Sequence, residues 1–75
     1  MAFTIIGRES CPFCIAAKNM LQNKRIYYEF HSIETFNKKS ALWKLKPKSH
    51  RTVPVIFYNN KFIGGYSELC QMLSS

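Results

Sequence analysis

Acidic residues are scarce in this chain: four Asp and Glu stand against eleven Lys and Arg, and none occurs between Glu34 and Glu68. The resulting net charge of +7 favours anionic partners, from carboxylate-bearing peptides to acidic protein surfaces to nucleic acid, without choosing among them. Long apolar runs are missing as well. Near the start only Phe3 to Ile6 is near-continuous, and no basic leader precedes it, so neither a signal peptide nor a membrane span is expected. Cysteine is few and odd in number at three, too few and too oddly counted for a disulfide-stapled miniprotein, which makes a staple the weakest reading. A bridge from Cys11 to Cys14 would close a loop too short to constrain the unfolded chain much. The expected compartment is therefore the reducing cytoplasm. There are no repeats, linkers or low-complexity stretches, so residues 1–75 read as a single domain.

What is present argues for a packed core. Apolar residues make up 47% of the chain, with six Phe, four Tyr and one Trp, well above a disordered composition. A chain this short still buries only roughly 60% of the surface it exposes unfolded, so its packing has to be economical.

Phe3 to Gly7 reads as a buried strand closed by glycine, after which Arg8, Glu9 and Ser10 lead to Cys11. From Pro12 the spacing of Phe13, Ala17, Met20 and Leu21 predicts an amphipathic helix, with proline suited to its first position and Cys11 near its N-cap. Ile26 to His31 alternates as a strand, Thr35 to about Leu45 reads as a second helix stopped before Pro47, and Lys46 to Arg51 is a basic loop. "VPVIFY" and "KFIGG" flank Asn59-Asn60, which suits a hairpin turn. Tyr66, Leu69, Cys70 and Leu73 repeat at helical spacing, with Ser67 as the expected cap. The order β-α-β-α-β-β-α predicts an α/β domain: parallel strands joined by a right-handed crossover, a hairpin added to the same sheet, and helices on both faces.

The cysteine pair "CPFC" admits three readings. A zinc site needs four ligands, and Cys70, His31 and His50 do not supply the paired spacing of a finger, so no metal is expected. A structural staple is the weakest reading. Redox chemistry fits: a thiol at a helix N-terminus has its thiolate favoured by free N–H groups, the helix dipole and nearby cations, here Arg8 above all and then Arg51. Cys11 is the expected nucleophile. Cys14, one turn inside, is the expected resolving thiol.

Four stretches, "IIGRESCPFC", "AAK", "RTVP" and "GGYSEL", together resemble glutaredoxins, particularly the small dithiol kind, over nearly the whole chain and in the family's order. The resemblance implies a thioredoxin-like fold with sheet order 2-1-3-4. It also implies reduction of protein disulfides and glutathione mixed disulfides, with glutathione as reducing co-substrate and no tightly bound cofactor. Cys11 and Cys14 match the family's redox pair, and Val53-Pro54 matches a cis-proline turn facing it. Such a turn leaves the backbone of Val53, next to Thr52, to pair with an extended peptide. The resemblance places the glycine carboxylate of glutathione near Arg8 and Arg51. Its γ-glutamyl end falls on Gly65, Tyr66, Ser67 and Glu68, where N–H groups and the Ser67 hydroxyl hold the carboxylate and Glu68 pairs with the amino group.

The chain departs from the family pattern at three places. Phe13 replaces the commonest tyrosine, keeping an aromatic wall without the phenol. Glu68 stands where the family usually has Asp. The polar second-helix residue that helps hold the glycine carboxylate has Ala41 as its ungapped counterpart, with Lys38 or Lys44 as substitutes if the register shifts. Pro12 speaks against an iron-sulfur role.

Elsewhere Cys70 reads as a small core hydrophobe, Trp43, Phe36, Tyr27 and Tyr28 as packing residues, and His31 and His50 as ordinary surface or half-buried residues. Lys38, Lys39, Lys44, Lys46 and Lys48 form either a solvated face or a docking surface for an acidic protein. Two competing functions remain at this level. One is a dedicated redoxin donating electrons to ribonucleotide reductase and reduced by thioredoxin reductase, whose C-terminal motif differs from "GGYSEL". The other is a basic nucleic-acid-binding module, which leaves the thiols and the Thr52-Val53-Pro54 turn unexplained. Expected partners are glutathione and disulfide-containing or glutathionylated proteins, ribonucleotide reductase among the candidate clients, acting on a monomer with no membrane contact.

Overall fold

The computed structural model describes residues 2–74; the two ends of the expected 1–75 domain, residues 1 and 75, lie outside the described residues. Strand β1 (Phe3–Gly7) is followed by helix α1 (Pro12–Asn23), β2 (Tyr28–Ser32), α2 (Ala41–Lys44), β3 (Val55–Tyr58), β4 (Lys61–Gly64) and α3 (Tyr66–Ser74). The sheet order is β2-β1-β3-β4, as in the thioredoxin-like fold. β1 runs parallel to β2, with Ile5 opposite Phe30, and antiparallel to β3, with Ile5 opposite Ile56. Asn59 and Asn60 take φ 50° and 66° and close the β3–β4 hairpin, the left-handed pair that a two-residue turn requires.

Successive side chains of a strand point to opposite faces, so the apolar runs of β1 and β3 feed two cores. On one face Phe3, Ile5 and Ile56 pack with Ala17 and Leu21 of α1 and Leu69 of α3. On the other, Ile6, Val55 and Phe57 are covered by Ile33, Phe36, Leu42, Trp43 and Phe62. Helices therefore lie on both faces, α1 and α3 on the first and α2 on the second.

Four expectations need correction. α1 buries Cys14, Ala17 and Leu21, whereas Phe13 is 61% exposed: the apolar stripe passes through the second cysteine and turns the aromatic ring outward. β2 begins at Tyr28 rather than Ile26, because the end of α1 takes up Ile26. The Ile26 N–H donates to the Leu21 carbonyl (2.9 Å) and the Arg25 N–H to the Gln22 carbonyl (3.0 Å), with Arg25 at φ 58°, a Schellman-type stop built without glycine.

The second helix is one turn, Ala41–Lys44, not Thr35 to Leu45. Upstream of it, side chains offer the backbone other partners. Asn37 Oδ1 accepts from the Lys39 N–H (2.9 Å), and Ser40 Oγ accepts from the Trp43 N–H (3.3 Å), so the helix starts at Ser40. Strand β3 starts at Val55, after the Val53-Pro54 bond, which is cis.

Candidate active site

β1 ends beneath the N-terminus of α1, and the three residues between Gly7 and the cysteine pair make a tight loop in which the Cys11 N–H donates to the Arg8 carbonyl (3.2 Å). Cys11 is the N-cap, with extended φ −77° and ψ 124°, and Pro12 supplies the first helical position. The cap side chain is thus a sulfur beside the open N–H groups of the first turn, with no capping hydrogen bond from the side chain itself. The Cys14 N–H, the Cys14 thiol and the Phe13 N–H all stabilise the Cys11 thiolate and hold its pKa below the ordinary cysteine value, with Arg8 adding a smaller Coulombic pull. The backbone donors dominate, Arg8 is the one cation that contributes, and Arg51 is not among the contributors.

Cys14 behaves oppositely. It is fully buried, and burial pushes its thiol up to about 11, reinforced by its hydrogen bond to Cys11. All three cysteines are free thiols. A partly exposed, acidified sulfur touching a buried, neutral one is the pairing that disulfide exchange needs, because the thiolate attacks and the neighbouring thiol is kept in reserve. At mildly acidic pH iodoacetamide is therefore expected to label Cys11 first. The rate should rise with pH through an inflection below that of a free cysteine, since deprotonation makes the nucleophile. Peptide mapping that found Cys14 or Cys70 alkylated faster would reverse the assignment.

The turn of residues 52–54, whose Pro54 closes on Gly7 together with Cys14, borders a cleft of about 310 Å³, walled by Phe13 and Tyr66, whose ring centroids are 5.9 Å apart, and continuing to Gly65 and Ser67. Val53 stands outside β3, beyond the ladder that pairs Ile6 with Val55. Thr52 and Val53 also border a second recess of about 210 Å³, which holds Arg8, Lys38, Lys46, His50 and Arg51. The two cavities thus meet at one stretch of backbone. Lys38 reaches this recess from the loop before α2, whereas Lys44 and Ala41 do not line it. Arg8 also lies 3.9 Å from Glu34, with both side chains more than half exposed; a surface pair of this kind contributes at most about 1 kcal/mol and leaves the guanidinium able to exchange partners.

At the other end, Gly64 turns the chain at φ +128° and Gly65 precedes α3. Ser67 does not cap that helix, contrary to expectation. Glu68 reaches back instead, its Oε1 accepting from the Gly65 N–H at 2.7 Å, and the Ser67 hydroxyl donates to Oε2 at 3.4 Å. Ser67 lies inside the first turn, while Glu68 occupies the position from which a longer carboxylate returns to the cap N–H. The Gly65 N–H, its own N–H, the Ser67 hydroxyl and His50 hold the Glu68 carboxyl below its ordinary value.

His50 is the site residue that sequence reasoning missed. It is half-buried, its Nε2–H donates to the Pro54 carbonyl (3.3 Å), and its ring meets Phe62 edge-on at 5.1 Å. It ties the basic loop to the turn and stands close to Glu68. Its place four residues ahead of Pro54 is the signal that was available. Cys70 is half-buried rather than a full core residue; it lies beside the Tyr66 hydroxyl, whose pKa it raises, and lines a different recess with Met20 and Leu73. Among the described residues no group of three His, Cys, Asp or Glu side chains is placed to hold a metal ion.

The family model for glutaredoxin matches residues 3–63. The chain belongs to the glutaredoxin family. Its members are thiol-disulfide oxidoreductases, which agrees with the paired thiols. Glutaredoxin-2 of Schizosaccharomyces pombe is 35% identical over 74 residues, covering 96% of this chain and 67% of that protein. The chain spans between 56% and 87% of the length of other curated glutaredoxins. Reduced Escherichia coli glutaredoxin superposes with a TM-score of 0.78 at 33% identity, covering 99% of this chain and 94% of that one. A buckwheat glutaredoxin solved in complex with glutathione shares the fold at 20% identity and a TM-score of 0.77, over 96% of this chain and 67% of that one. No helix among the described residues is long and apolar enough to cross a membrane.

Proposed function

We propose that this glutaredoxin uses glutathione to reduce protein disulfides and glutathione mixed disulfides in the cytoplasm, as a monomer. The observation that carries the reading is an acidified thiol at the N-terminus of α1 beside two recesses that meet at Thr52 and Val53, one holding cations and the other bordered by Phe13 and the start of α3. Glutathione is a short peptide with a carboxylate at each end, which suits cations at one recess and the start of a helix at the other. The solved complex of the buckwheat relative with glutathione supports the choice of ligand.

In this reading the cysteinyl unit of glutathione pairs with the Val53 backbone as an added strand. Its glycine carboxylate lies toward Arg8 and Arg51. Its γ-glutamyl carboxylate meets the first turn of α3 and the Ser67 hydroxyl, Tyr66 and Phe13 wall the sulfur, and Glu68 attracts the ammonium. The Cys11 thiolate attacks the glutathionyl sulfur of a mixed disulfide, and the client leaves as a thiolate that takes up a proton. A second glutathione thiolate then attacks the sulfur bound to Cys11, so that oxidised glutathione departs and the Cys11 thiolate returns. In sum, glutathionylated client plus glutathione gives reduced client plus glutathione disulfide. The reading is tested by oxidation of NADPH through glutathione reductase with a glutathionylated substrate, and no turnover would remove it.

Arg51→Ala and Ser67→Ala, at opposite ends of the groove, are expected to raise the KM for glutathione while leaving the unfolding midpoint unchanged. A charge-assisted hydrogen bond contributes about 1.5–3 kcal/mol, less where solvent reaches it; a several-fold rise is the expected scale for these exposed side chains. A KM unaltered in both variants would remove the binding mode.

A further inference from the structure

The net charge of the protein is not spread evenly over its surface. Residues 38–51 carry six of the eleven cations and no acidic residue. They lie on the α2 face, and Lys38, Lys39, Lys44, Lys48 and Arg51 are exposed. The helices of the other face, α1 and α3, carry one cation and one acid between them, Lys18 and Glu68. This charged face adjoins the turn next to the thiols: its recess, holding Lys38, Lys46 and Arg51, shares Thr52 and Val53 with the cleft walled by Phe13 and Tyr66, and Pro54 of the same turn closes on Gly7 together with Cys14. Trp43 stiffens it, with the Lys46 ammonium 5.1 Å and the Lys38 ammonium 6.0 Å from its ring. Lys46 also donates to the carbonyls of His50 (2.8 Å) and Pro47 (3.2 Å), so the loop is held in shape.

A single peptide carboxylate needs one or two cations, and Arg8 and Arg51 already supply them. Lys39, Lys44 and Lys48 lie outside both cavities and present their charge to whatever approaches Cys11 from the α2 side. We propose that this face is a docking surface for protein clients with acidic residues around the reactive cysteine, giving the enzyme a preference among clients through steering and complementarity. The inference rests on the glutathione-dependent activity proposed above. It favours a polypeptide over nucleic acid because the charged face adjoins the turn next to the thiol pair, and the surface beside that turn offers a groove for extended peptide.

The test compares two glutathionylated peptides of one sequence in which the cysteine is flanked by three Glu or by three Lys residues. The mixed disulfide of glutathione with 2-mercaptoethanol serves as a client-free reference. At low salt kcat/KM is expected to favour the Glu peptide on the order of tenfold, and the ratio should fall toward one as sodium chloride screens exposed charges. The triple variant Lys39→Gln, Lys44→Gln, Lys48→Gln should lose most of that preference while turning over the reference substrate at the parental rate. Equal kcat/KM for the two peptides, with the reference substrate still turned over, would overturn the docking surface and leave the glutathione reading intact. Failure with the reference substrate would remove both. A mixed-sequence single-stranded oligonucleotide bound more tightly than the Glu peptide at the same salt would overturn the proposal and assign the face to nucleic acid.

Discussion

Cys11→Ser is expected to abolish deglutathionylation and protein-disulfide reduction together, whereas Cys14→Ser keeps the first and stalls the second. The difference follows from where each sulfur sits. Cys11 has the open N–H groups of α1 and partial exposure, so it alone can make the attacking thiolate. A glutathionyl group it accepts is removed by a second glutathione from outside, and no further protein thiol is needed. A protein client bound through Cys11 is a different case, since the second bond-breaking step is fastest when a thiol is already within reach. Cys14 is that thiol. Its pKa, raised to about 11 by burial, keeps it protonated until the Cys11 thiolate has been consumed, which prevents the two sulfurs from competing for the first attack. Without Cys14, clients should accumulate as covalent adducts that survive non-reducing electrophoresis and disappear with dithiothreitol. Deglutathionylation kept in Cys11→Ser but lost in Cys14→Ser would overturn the assignment.

How much of this was legible in the sequence depends on the physics that fixes each element. β1, α1 and the hairpin were readable because their signals are local: an apolar run closed by Gly7, proline after the cap, and two Asn residues at positive φ. The sheet order 2-1-3-4 came from the family likeness, since the β-α-β and hairpin pieces alone leave the edges open. The second helix was overread because residues 35–45 carry helix-like spacing, while Asn37 and Ser40 bind nearby N–H groups more favourably than a longer helix would. The cap of α3 was misassigned from Ser67 to Glu68 for a related reason: which side chain returns to the Gly65 N–H depends on where the helix starts, and helix boundaries are poorly specified by composition. For His50 the only local signal was its spacing of four residues from Pro54, which by itself fixes no contact. Its partners, Pro54, Phe62 and Glu68, come from the turn, β4 and α3, and only the closed sheet brings them together.

Gly7 links the strand to the chemistry. A β-carbon added there would overlap Cys14 Sγ, while it would sit 3.5 Å from Cys14 Cβ and 3.7 Å from Pro54 Cα, both ordinary contacts. The only obstruction is the resolving sulfur. Gly7→Ala should therefore destabilise the protein by about 1–3 kcal/mol, the usual cost of overpacking, and for a domain of this size each kcal/mol lowers Tm by about 4–8 °C. In a Cys14→Ala background the obstruction is gone, and alanine is favoured over glycine within a strand by about 0.5–1 kcal/mol. The same substitution should then become neutral or stabilising. Denaturant unfolding of the four proteins of this cycle gives the coupling energy directly, and an equal penalty in both backgrounds would show that the strain arises elsewhere. Function should follow the same geometry. Displacing Cys14 Sγ removes it from the path to a client bound at Cys11, so Gly7→Ala, at temperatures where it remains folded, should accumulate client adducts as Cys14→Ser does while still releasing glutathione from small mixed disulfides. A variant that resolves clients at the parental rate would separate the glycine from the reaction and leave it a purely structural residue.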